Sequence, residues 1–172
     1  MAGLRMTMLT VPLTLALAGC GGTDLVVKSQ VLTPPPSAPR TAFFVEKPDV
    51  QSRETGSEAW QRNAGYGELL ARELRAALQD RGKALADPPA DLVRSRVYVA
   101  FGKAPVKSED RRRAKAHVEV RLQLVDPARG AVLYSTHTLA PIEDAPFGWG
   151  PEMDEIVREA LRHAAQDFAS RL

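Results

Sequence analysis

The sequence predicts an α+β fold: a two-layer sandwich in which a mainly antiparallel sheet of about four strands carries two helices on one face. Three observations predict it. Val93 to Phe101 and Ala116 to Leu124 alternate apolar and polar positions, the period of a half-buried strand. Gly67 to Arg81 and the segment from Pro151 to the end repeat apolar residues every three or four positions, the period of an amphipathic helix. The order strand, helix, three strands, helix gathers these elements into one sandwich, without internal repeats.

Composition sets the frame. Of 172 residues, 44% are apolar and 26% charged, values of a globular chain with a real core. A formal net charge of +2 argues against nucleic acid as a partner, since such proteins show a markedly basic face. The single cysteine, Cys20, leaves no disulfide within the chain, so stability must come from packing.

The N-terminus combines a positive start around Arg5, an uncharged stretch from Thr7 to Ala16 and the small residues Leu17-Ala18-Gly19-Cys20. That is the layout of a secretory signal, and it is too short to cross a bilayer, which takes about 20 apolar residues. The predicted organisation is a signal at 1–19, a proline-rich tether at 20–40 and a folded domain at 41–172. Within the tether, no alternation runs through Lys28-Ser29-Gln30, and Pro34-Pro35-Pro36-Ser37-Ala38-Pro39 favours an extended, semi-rigid spacer.

The domain opens with a short strand, Ala42-Phe43-Phe44-Val45, ended by Lys47-Pro48. Gln51 to Ser57 is polar and reads as a loop. Ser57 can cap a helix whose first part is weakened by Gly65 and Gly67. Leu70, Leu74, Ala77 and Leu78 then form one stripe, with Leu69 alongside, and Gly82 suits the left-handed position past the helix end. The two alternating strands follow. Asp126-Pro127-Ala128-Arg129-Gly130 supplies a turn, and Val132 to Leu139 returns as the hairpin partner. Pro151 starts the last helix, with Glu152, Asp154 and Glu155 at its positive end. Val157, Leu161, Ala164, Phe168 and Leu172 make its buried stripe.

Few residues suggest chemistry. His117, His137 and His163 are the only histidines, and His117 and His137 come close across the hairpin. A metal pair would lack further ligands at suitable spacing, so solvated surface histidines are the better reading. There is no Gly-x-Ser-x-Gly elbow and no phosphate-cradling glycine loop. No catalytic, metal or cofactor-binding residue is therefore assigned, and no cofactor is expected. Two connections stand out instead. Lys103 to Lys115, with Arg111, Arg112 and Arg113, suits anionic headgroups or an acidic polymer; equally, it suits a charged hairpin tip kept soluble. Ala140 to Gly150 carries Phe147 and Trp149, which suit either a contact surface or a lid on the edge of the core.

The ending Leu17-Ala18-Gly19-Cys20 resembles the lipobox of bacterial lipoproteins, in which the cysteine is acylated and becomes the mature N-terminus. The resemblance implies Cys20 as the lipid attachment site. Gly21, rather than aspartate, after it implies the outer membrane. The helix from Ala59 to Arg81, Ala90-Asp91-Leu92-Val93 entering a strand, the turn Asp126 to Leu133 and the helix from Asp154 extend the likeness. The pattern is similar to Gram-negative lipoproteins that assist ABC-type lipid transport, of the paraquat-inducible and Mla-like kind, and to small lipoproteins with the same sandwich. It is also similar to the lipoprotein of Pel exopolysaccharide export. Glu46-Lys47-Pro48-Asp49-Val50 departs from the Pel type, which ranks that reading second.

The resemblance transfers no catalytic residues. It implies a non-catalytic lipoprotein on the periplasmic side of the outer membrane, an accessory in envelope transport or assembly that contacts other envelope proteins. A ring-forming homo-oligomer of polysaccharide export is the first alternative, and a periplasmic hydrolase or metal-binding protein the second.

Overall fold

The computed structural model describes residues 26–52, 57–101, 113–146 and 151–172. Among them the order is β1 (Lys28–Thr33), β2 (Ala42–Val45), β3 (Asp49–Ser52), α1 (Ser57–Asp80), β4 (Ala84–Leu85), β5 (Asp91–Phe101), β6 (Arg113–Val125), β7 (Val132–Pro146) and α2 (Pro151–Ser170). The chain is α+β, as predicted. The sheet has seven strands rather than about four, and it is not purely antiparallel, because β2, β3 and β4 join it through parallel pairings. Its order is β1-β7-β6-β5-β2-β4, with β3 also against β5.

The antiparallel part is the meander β5-β6-β7, whose alternation the sequence displays. β7 continues to Pro146, through much of the segment read as a loop from Ala140. Prolines at 141 and 146 suggested a break. Past the Lys28–Leu139 pairing, however, β1 no longer flanks β7, and an edge strand tolerates a residue with no N–H.

The parallel part comes from α1. A helix between neighbouring strands carries the chain back to the starting end of the sheet, so β2 and β3 both run parallel to β5. β2 lies along Asp91 to Val93 and β3 along Arg96 to Val99. Between them Pro48 offers no donor and divides one edge into two short strands. That proline, with Asp49 and Gln51 on the wet side, made β3 look like a loop.

β1 lies inside the segment read as tether, antiparallel to β7 from Lys28–Leu139 to Thr33–Ser135. It lacks apolar alternation because hydroxyls replace apolar contacts along the seam. Ser29 and Thr138 share a hydrogen bond of 2.9 Å, and the Ser135 hydroxyl donates to Thr33 at 3.0 Å. The proline run therefore joins two strands of one sheet. From β1 to β2 is four strand spacings, roughly 19 Å. Residues 34–41, extended at roughly 3.1 Å each, reach about 25 Å, enough to strap that end of the sheet. Arg40 fastens the strap to Asp91 at 3.4 Å, and Lys83 Nζ donates to the carbonyls of Arg40 and Leu172 at 3.3 and 2.8 Å.

Both helices cover one face. Tyr66, Leu69, Leu70, Leu74 and Leu78 of α1 are buried, as are Met153, Val157, Leu161, Ala164 and Phe168 of α2. They close over Val93, Val97, Val99, Val118, Val120, Leu122, Leu124 and Tyr134. Tyr134 stacks on Phe168 with ring centroids 4.9 Å apart. Gly67 lies against the sheet edge, where a Cβ would stand 3.4 Å from Val50 Cγ2, an ordinary packing distance. Gly82, at φ 71°, ends the helix, with Gly82 N–H donating to Gln79 and Lys83 N–H to Leu78.

Candidate functional site

A sheet covered on one face presents its alternate positions on the other. Strand pairing arranges those positions in rows that no stretch of sequence shows. One row runs Asp49, Arg96, Arg121, His137, Gln30 across β3, β5, β6, β7 and β1. The next runs Gln51, Tyr98, Glu119, Leu139, Lys28. On the other side of the first row, Arg94 is opposite Gln123, which is opposite Ser135.

The charges on this face are partly paired. Arg94 Nε donates to Glu46 at 2.8 Å and Arg96 Nε to Asp49 at 3.2 Å. Gln51 donates to the same Asp49 carboxylate at 3.3 Å. Arg121 is exposed and, among the described residues, has no acidic partner. The link from β2 to β3, together with β3, β5 and β6, encloses an open depression of about 270 Å³ lined by Glu46, Lys47, Asp49, Arg94, Arg96, Arg121 and Gln123.

The histidines sit further along the face. His117 and His137 are not cross-strand partners; they pair with Pro141 and Arg121. Each instead approaches Glu119, at 3.7 and 3.5 Å, and His117 lies 6.0 Å from the Tyr98 ring. Among the described residues no group of three or more His, Cys, Asp or Glu side chains is placed to hold a metal ion. His163 lies half-buried on α2, away from both. The face is built for hydrogen bonding and charge.

Cys20, Arg111, Arg112, Phe147 and Trp149 lie outside the described residues. Arg113 opens β6 opposite Pro146, and its side chain likewise lies outside the description. Arg94, Arg96 and Arg121 occupy polar positions of the alternating strands, but nothing in their spacing along the chain brings them together. Only the antiparallel register of β5 against β6, which sets Arg96 opposite Arg121 and Arg94 diagonal to it, does so.

Among the described residues no helix is long and apolar enough to cross a membrane. No protein-family model matches the sequence, and no curated protein matches it. Solved structures do resemble it. A neuraminyllactose-binding hemagglutinin homologue from Helicobacter pylori matches with a TM-score of 0.53 at 13% identity, over 81% of this chain and 89% of that one. A minor lipoprotein from Acinetobacter baumannii matches with 0.46 at 14% identity, over 76% and 90%. A PelC dodecamer from Paraburkholderia phytofirmans matches with 0.44 at 16% identity, over 81% and 95%. At 13% identity, the match to the Helicobacter pylori structure is a likeness of fold alone.

Proposed function

We propose that this chain is a non-catalytic lipoprotein, anchored through Cys20 to the periplasmic face of the outer membrane. Its α+β domain serves as an accessory in envelope transport or assembly, binding other envelope proteins. The observation that carries the reading is Leu17-Ala18-Gly19-Cys20, the only thiol of the chain, closing an apolar run behind Arg5. Several acyl chains at one cysteine, each contributing about 0.8 kcal/mol per buried methylene, hold a protein at a bilayer where one chain would not. A sheet face that is charged and, among the described residues, not covered by a helix supports a role in binding.

The test is metabolic labelling in a Gram-negative host. Radiolabelled palmitate is expected to enter the full-length protein, and Cys20→Ala to abolish the label and release the chain from the outer-membrane fraction. Unlabelled wild-type protein, or a cytosolic chain with residues 1–19 still attached, would overturn the reading.

A further inference from the structure

The depression on the sheet face opposite the helices carries more positive than negative charge. Arg94, Arg96, Arg121 and Lys47 line it against Glu46 and Asp49, an excess of two cationic groups. The two acids do not neutralise the arginines symmetrically. Each accepts from the Nε edge of its guanidinium, at 2.8 Å for Glu46 and 3.2 Å for Asp49. The Nη ends of Arg94 and Arg96 keep no hydrogen-bond partner among the described residues. The carboxylates thus orient these side chains more than they quench them.

Arg121 completes the set. It stands directly opposite Arg96 on the neighbouring strand, with no acid of its own among the described residues. It is the diagonal neighbour of Arg94, at roughly 7–8 Å by sheet geometry. Like charges facing one another across a ladder are unfavourable. A negative group between them would turn that repulsion into attraction, and a guanidinium fork matches the oxygens of phosphate or carboxylate two at a time.

We infer that this depression binds a doubly charged oxyanion of the phosphomonoester kind, held by Arg121 and the free ends of Arg94 and Arg96. A phosphomonoester carries about −1.5 to −2 charges, which balances the excess of the lining. The volume suits one such group with a small substituent rather than a length of polymer. A soluble sugar or glycerol phosphate and a phosphorylated lipid headgroup share this chemistry. The assignment does not depend on the anchor at Cys20.

The experiment is calorimetric titration of the full-length protein in detergent micelles with glycerol 3-phosphate, with dimethyl phosphate as the singly charged control. A parallel arm uses micelles doped with phosphatidic acid. Saturable binding of glycerol 3-phosphate is expected, at least tenfold tighter than dimethyl phosphate. Arg121→Gln should weaken it about tenfold, whereas Arg129→Gln, on the exposed turn, should leave it unchanged. Tighter binding in the phosphatidic acid arm would support the site and assign a lipid source; binding of the soluble phosphate alone would support it and assign a soluble one. Arg121 is exposed and faces Arg96, so its loss should not lower the melting temperature, which is read alongside. Absence of saturable binding in both arms, equal affinity for dimethyl phosphate, or equal loss in Arg129→Gln would overturn the inference.

Discussion

Tyr66 and Tyr134 are both buried under the helices, yet their hydroxyls meet different fates. Tyr66 donates to Asp154 at 2.9 Å, whereas the Tyr134 hydroxyl is buried with no hydrogen-bond partner among the described residues. Burial raises both phenols above their ordinary range; for Tyr66 the bond to Asp154 adds to this, and for Tyr134 the charge of Asp167. Tyr66→Phe should therefore cost about 1 kcal/mol, the net value of one hydrogen bond, while Tyr134→Phe should be neutral or stabilising. Urea midpoints measure both. A raised phenol favours the folded state fully below the unfolded value near 10 and loses that advantage as pH rises above it. The wild type should accordingly lose about 1.4 kcal/mol per tyrosine for each pH unit above roughly 10, and the double phenylalanine variant should lack that alkaline limb.

Elements differ in how openly they announce themselves. α1 ends on a left-handed residue, so Gly82→Ala should cost about 1 kcal/mol, read from the thermal midpoint, through strain rather than lost contacts. Nothing crowds a Cβ at that glycine. This ending, the stripes of both helices and the alternation of β5 and β6 were legible because each has one wet side and one dry side. β1 was not, since Ser29 and Thr33 exchange hydroxyl bonds with β7 where apolar residues would have signalled a strand. β3 was hidden by Pro48 and by the polar side chains of Asp49 and Gln51. The candidate site was hidden for a deeper reason. Arg96 and Arg121 become neighbours only through a register between distant segments, which composition and spacing do not encode. Arg111 to Arg113, by contrast, stand out in the sequence because they cluster along the chain.

At the scale of the whole molecule, β1 and its proline strap belong to the sheet. A chain beginning at Thr41 would uncover the flank of β7 and remove Val27 and Val31, which are partly buried against the core. It should unfold about 2 kcal/mol more readily than a chain beginning at Val26, compared by urea denaturation, and associate through its bare edge. The placement of β1 also sets how the body would be moored if Cys20 carries the proposed lipid. The chain joins the sheet at Lys28, opposite Leu139, while β7 runs on to Pro146, roughly 23 Å further. From Cys20 to Lys28 the backbone can stretch about 28 Å at most. With a lipid on Cys20 the leash is scarcely longer than the projecting strands, so the domain would ride close against the bilayer. The far ends of β6 and β7 would lead, and the turn at Asp126 to Gly130 would look outward.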